Sequence, residues 1–123
     1  MNSQATLNIQ NADLVVQGSN VGKTFGGGSV VALEGADFQV EKGQFVSLVG
    51  PSGCGKSTLL RLIAGLIDGT SGELSVHGRR VTGPHTDVGM MFQKATLLDW
   101  RTSIENVLLP TEISGTITSA DRK

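Results

Sequence analysis

Phe45-Val46-Ser47-Leu48-Val49-Gly50-Pro51-Ser52-Gly53-Cys54-Gly55-Lys56-Ser57-Thr58 is the stretch that decides the reading of this 123-residue chain. Phe45–Val49 is nearly continuous in apolar character, the pattern of an internal strand covered on both faces. Gly50–Ser57 matches G-x-x-x-x-G-K-[ST], and Thr58 follows it. Lys56–Ala64 then reads as a helix, with Leu59, Leu60, Leu62 and Ile63 as its apolar stripe and Gly65 as its C-cap.

The residue types in that loop suit one ligand chemistry. A phosphate chain is a row of anionic oxygens, and successive backbone N–H groups surround it only where side chains do not block their approach. The following helix adds unsatisfied N–H groups and a partial positive charge at its first turn. Lys56 places a mobile ammonium near the terminal phosphates, and the Ser57 hydroxyl is placed to ligate Mg²⁺. Gly50, Pro51, Ser52, Gly53, Cys54, Gly55, Lys56, Ser57 and Thr58 are therefore the candidate nucleotide-binding residues. Cys54 sits where helix-terminal amides favour a thiolate, which predicts maleimide labelling that Mg·ATP suppresses; a small inert side chain is the alternative. A second glycine–lysine–threonine run, Gly22-Lys23-Thr24, has Gln17 where the pattern needs glycine and no apolar helix after it. It is set aside.

Upstream, Met1–Asp13 is polar and reads as a frayed terminus, and Leu14-Val15-Val16 as a short strand. Gly26-Gly27-Gly28-Ser29 is a turn. Partial alternation from Val30 to Val40 predicts a strand with one buried face in an antiparallel sheet, closed by a turn at Glu41–Gln44. Phe25 can stack on a purine ring or serve as a strand-end aromatic in a small core.

Downstream, Glu73–Val76, His77-Gly78 and Arg80-Val81 predict a small hairpin. Val88–Phe92 reads as a second buried strand ending at Gln93. If it runs parallel to Phe45–Val49, Gln93 and the glycine loop share the carboxyl edge of one sheet, where α/β proteins bind ligands. A neutral amide there can ligate Mg²⁺ or hold a water, or simply end a strand in solvent. Thr102-Ser103-Ile104-Glu105 has capping-box spacing, and Pro110 is expected to end the helix it opens. Trp100, the lone tryptophan, either anchors a partner or closes the local core. His77 and His85 share no metal-ligand spacing and read as surface turn residues.

Composition narrows the classes. Apolar residues make up 38% and charged residues 17%, which excludes a strongly charged disordered chain and a membrane-embedded one. No apolar stretch approaches the ~20 residues of a spanning helix. The first residues lack the basic and apolar segments of a secretory signal. Net charge is −1, so no nucleic-acid partner is expected. One cysteine cannot form an internal disulfide.

Together, the glycine loop, Phe45–Val49, Asp87–Gln93 and Glu105-Asn106-Val107 resemble the ATPase of ATP-binding-cassette (ABC) transporters. The wording from Pro84-His85-Thr86-Asp87 through Leu97-Leu98-Asp99-Trp100-Arg101-Thr102 is similar to the importer branch for nitrate, sulfonate and taurine. Asp99 departs from the proline usual there. The resemblance covers Leu14 to Pro110 and implies an α/β P-loop NTPase of ABC type: an antiparallel β-subdomain plus the first strand–P-loop–helix unit of the core. It divides the chain into a flexible 1–13, a partial ATPase domain over 14–110, and the start of a helical subdomain over 111–123.

The same resemblance implies roles. Phe25 matches the aromatic that stacks on adenine. Gln93 matches the Q-loop glutamine that touches Mg²⁺ or water. Lys56 and Gln93 are thus the expected catalytic contributors, with Ser57 and Gln93 at the metal and ATP and Mg²⁺ as cofactors. The implied partners are a transmembrane permease subunit, contacted near Leu97–Asn106, and a second ATPase protomer in a homodimer. The implied location is the cytoplasmic face of the cell membrane. The family's signature motif, its strand ending in Asp-Glu and its switch histidine have no match, and Ser119–Lys123 resembles a helix start that stops. Truncation is therefore expected, with phosphate binding weak and hydrolysis negligible for these residues alone. A nucleotide-binding remnant without turnover and a soluble non-transport ABC ATPase are the alternatives.

Overall fold

In a computed structural model, described over residues 13–86, 88–94 and 96–115, the chain forms two compact units divided between His85 and Thr86. The first unit holds a four-stranded antiparallel sheet: β1 (Leu14–Phe25), β2 (Val30–Glu41), β3 (Ser71–Val76) and β4 (Arg79–Arg80). Their order across the sheet is β2-β1-β3-β4. Helix α1 (Lys56–Ile63) packs against β2 and β3. Val21, Leu62, Ala64 and Val76 are the buried core.

β2 follows from its sequence. Half-buried Ala36, Phe38 and Val40 alternate with exposed Asp37 and Gln39, the period of a strand with one covered face. The turn at Glu41–Gln44 also forms, with Gln44 N donating to the Glu41 carbonyl at 3.2 Å. In the β3–β4 hairpin, His77 and Gly78 both have positive φ, 49° and 72°. That is the I′ geometry whose twist matches paired strands.

β1 is longer than the Leu14–Val16 segment expected. It continues to Phe25 through Gly18 and Gly22, residues that weaken strand propensity. At Gly18 the ring of Phe38 occupies the space a Cβ would need, so cross-strand packing overrides propensity. Gly22-Lys23-Thr24 lies in this strand. Of the Met1–Asp13 segment read as frayed, Asp13 is described, and its carbonyl accepts from Lys42 N at 2.8 Å. The rest, and the helix start read at Ser119–Lys123, fall outside the described residues.

Phe45–Val49 and Val88–Phe92 differ from expectation more sharply. Neither is part of a sheet among the described residues. Phe45 and Val49 are 94% and 93% exposed, and Met91 is 97% exposed. An internal strand is held by ladder hydrogen bonds to neighbours on both sides. The described sheet is built from other segments, so these two apolar runs have no ladder to join.

α1 ends in a Schellman motif. Leu66 N donates to the Arg61 carbonyl at 2.9 Å, and Gly65 N to the Leu62 carbonyl at 3.0 Å. Gly65 therefore stands just past the cap residue Ala64, with φ 68°. His85, expected as a surface turn residue, is half-buried instead. Its Nε2 lies 3.2 Å from the Ile63 carbonyl, one of the acceptors the helix end leaves unpaired.

The second unit contains α2 (Ser103–Ile113). The capping box forms: Glu105 N donates to Thr102 Oγ1 at 3.4 Å, and Thr102 N to Glu105 Oε2 at 2.8 Å. Pro110 does not end the helix but lies inside it. By that point the box has nucleated two turns, so losing one N–H does not stop propagation. Termination falls at Ser114-Gly115, where Gly115 has φ 71°. Trp100 is 79% exposed, so it does not close a local core. No described helix is long and apolar enough to cross a membrane.

Candidate phosphate-binding loop

Gly50–Gly55 enters α1 without regular structure, and the two helices treat their N-termini oppositely. α2 is closed by its own Thr102 and Glu105 side chains. α1 has Gly55 at its N-cap, with φ 95° and no side chain to cap it. The first intrahelical bond runs from Leu59 N to the Gly55 carbonyl at 2.9 Å. The amides of Lys56, Ser57 and Thr58 precede it and have no helical acceptor. They converge with the positive end of the helix dipole, a setting for an anion.

Gly55 is required twice over. Its φ lies in the left-handed region, and a Cβ would run into the carbonyl oxygen of Ala32 in β2. The loop is thus pressed against the sheet at its last residue. At Gly53, φ 81°, nothing would meet a Cβ within 4 Å. The loop is open on that side, as close approach of a ligand to the main chain demands.

Lys56 folds back across the loop. Its Nζ donates to the carbonyls of Gly50 at 2.7 Å and Pro51 at 2.6 Å, and lies 3.3 Å from Cys54 Sγ. An ammonium has three donors, and these contacts account for all three. Two are fixed to main chain, which pins the charge over the loop. The third rests on a weak sulfur acceptor that a phosphate oxygen would displace. Ser57 is exposed in the first turn and Cys54 is exposed beside the lysine.

Phe25 belongs to the same unit as the loop, at the end of β1, and is 41% exposed. Lys23 Nζ lies over its ring, 5.0 Å from the centroid. Gln93 is exposed and belongs to the second unit. A cleft of about 360 Å³ in the first unit, lined by Val21, Leu62, Ile67, Asp68, Leu74 and Arg80 among others, includes no loop residue.

Two residues carry more structure than their sequence setting suggested. Lys23 lay in a discarded motif, and its link to Phe25 follows only once β1 runs through it. Asn106 was one letter of a resemblance. In the structure its Oδ1 accepts from Leu98 N at 2.7 Å, and its Nδ2 donates to the carbonyls of Leu98, Arg101 and Thr102 at 3.1, 3.2 and 3.0 Å. An asparagine at the fourth helical position after a capping threonine is the available signal, since it faces back over the entering turn.

An antiparallel sheet, a glycine loop and an uncapped helix that it enters define an α/β protein of the P-loop NTPase class. Its relatives make the class specific. The sequence pattern of the ABC transporter family matches residues 33–123, and the chain belongs to that family. It is 53% identical over 88 residues to the nitrate import ATP-binding protein NrtD of Synechocystis sp., a match spanning 72% of this chain and 33% of that protein. It is 50% identical over 80 residues to the aliphatic sulfonates import ATP-binding protein SsuB of Bacillus cereus, spanning 65% and 32% of the two. The dimeric, post-hydrolysis ATP-binding cassette MJ0796, bound to ADP and phosphate, superposes with a TM-score of 0.76 at 32% identity. That match covers 87% of this chain and 52% of that one. The chain spans about a third of the length of these two curated relatives.

Proposed function

We propose that this chain is the nucleotide-binding part of an ABC importer's energy-coupling subunit, which binds Mg·ATP and in the intact protein hydrolyses it to drive solute uptake. One observation carries the reading: Lys56 strapped across an open glycine loop whose helix amides have no helical acceptor among the described residues. Family membership and the import relatives support it.

The main-chain amides of Gly53–Thr58 receive the phosphate oxygens, and Lys56 supplies the neutralising charge. Phe25 receives the adenine ring on its exposed side. The donor set fits Mg²⁺, a hard cation that takes oxygen ligands and keeps several waters. The Ser57 hydroxyl is the loop oxygen that would hold it, and bound there it would neutralise phosphate charge; a role for Gln93 is put forward on the family resemblance alone. The catalytic work of these residues is positioning and charge stabilisation.

The partners follow from the same reading. A permease subunit docks near Leu97–Asn106, where Leu97 and Trp100 are exposed. A second copy of the ATPase completes a dimer, as in the MJ0796 cassette. The place of work is the inner face of the cell membrane. On this reading residues 14–110 form a partial ATPase domain and a helical subdomain begins at 111.

Titration of Mg·ATP into isotope-labelled protein tests the reading. Amide signals of Gly53–Thr58 are expected to shift at millimolar nucleotide, and Lys56→Ala to abolish the shifts. Unmoved loop amides in a folded sample would refute it.

A further inference from the structure

The ring of Phe25 does not stand alone at the end of β1. Lys23 Nζ lies over it, 5.0 Å from the centroid, and donates to the carbonyl of Asp68 at 2.6 Å. Asp68 belongs to the turn that follows α1, the helix that begins at the glycine loop. The β1–β3 pairing stops at Gly22↔Ser71. There the end of β1 is tied to that turn by side-chain and main-chain bonds. Lys23 reaches Asp68, Thr24 N donates to Thr70 Oγ1 at 3.0 Å, and Thr70 N donates to the Gly22 carbonyl at 2.8 Å.

We propose that Lys23 is a positioning residue for the purine base: anchored on Asp68, its ammonium covers one face of Phe25 and leaves the other face for the nucleotide. This rests on the reading of Phe25 as the base-stacking residue. An aromatic face is negative at its centre, so a cation settles there rather than at the edge. The cation is itself fixed by a main-chain acceptor, so the ring is held against the turn after α1. The base platform and the phosphate loop are then joined through one short helix. A ring held in this way loses less freedom when the base stacks on it.

The experiment separates base from phosphate. Binding of ATP and of tripolyphosphate, which has no base, is measured by calorimetry on the full-length protein and its Lys23→Met, Lys23→Arg and Phe25→Ala variants. Lys23→Met is expected to weaken ATP about threefold to tenfold, the scale of a lost exposed cation–π contact and its ordering effect. Tripolyphosphate affinity is expected to stay within about twofold, and Lys23→Arg, which keeps a cation over the ring, to restore ATP binding. Equal weakening of both ligands by Lys23→Met would show a merely structural role and overturn the proposal, as would no effect on either. Phe25→Ala isolates the underlying reading: if it leaves ATP affinity unchanged, base stacking at Phe25 fails, and the role of Lys23 fails with it.

Discussion

The carbonyl oxygen of Ala32, near the start of β2, occupies the space a side chain on Gly55 would need. This contact presses the last residue of the phosphate loop against the sheet. It makes the left-handed turn at Gly55 part of the tertiary structure as well as of the loop.

Gly55→Ala is therefore expected to cost more than a helix-cap change. Forcing alanine to a φ of 95° costs about 1–3 kcal/mol, and the clash with backbone at Ala32 adds to it. The loop must move off β2, so ATP affinity and unfolding free energy fall together. Calorimetric binding and urea unfolding check this; unchanged affinity in the variant would separate the loop's geometry from its function.

Gly65 marks the other end of α1. A Cβ there would collide with the carbonyl of Gly83, and φ is 68°. Gly65→Ala is expected to destabilise the fold by about 2 kcal/mol from strain alone. Here the unfolding midpoint is expected to drop while any nucleotide effect follows stability. Substituting the neighbouring exposed Leu66 is the control, with a change within about 0.5 kcal/mol for a polar residue.

Asn106 uses its whole amide to close the turn before α2. Asn106→Ala leaves Leu98 N and three carbonyls without these bonds, at about 1–3 kcal/mol for groups that stay shielded from water. The expected sign is local: faster hydrogen exchange at Leu98 N, with β-sheet amides of the first unit unchanged. Equal acceleration across both units would mean that the turn is not an independent element.

What was legible in the sequence was local and periodic. The glycine loop, the alternation in β2, the His77-Gly78 turn and the Thr102–Glu105 box each rest on residues close in sequence. Each forms in the structure. What was not legible depends on distant packing. β1 continues through Gly18 because Phe38 lies over it, and His85 leaves the surface because Ile63 offers an unpaired carbonyl. Pro110 was read by rule as a stop, yet the nucleated helix carries it. The loop of the candidate site could be read outright. Its lysine strap could not, because which carbonyls Lys56 meets depends on how the loop bends.

The two apolar runs outside the sheet make a prediction about these 123 residues taken alone. Phe45, Val49 and Met91 place large side chains almost wholly in water. Large apolar side chains held in water invite association. The isolated 123-residue chain is expected to bind the dye ANS and to melt broadly. A sharp two-state melt with little dye binding would contradict this.

Cys54 offers a direct report on the loop. Its sulfur is exposed and 3.3 Å from Lys56 Nζ, so it marks the place where the lysine's third proton rests before any phosphate arrives. A phosphate oxygen is the stronger acceptor and receives that hydrogen bond in place of the sulfur. The phosphate chain then also covers the sulfur. Maleimide labelling is expected to slow about tenfold when Mg·ATP is at ten times its dissociation constant, since only the free fraction reacts. Lys56→Ala is expected to remove the protection without removing the thiol. Equal labelling rates with and without nucleotide, in protein whose loop amides do respond to it, would show that phosphates bind without passing over Cys54.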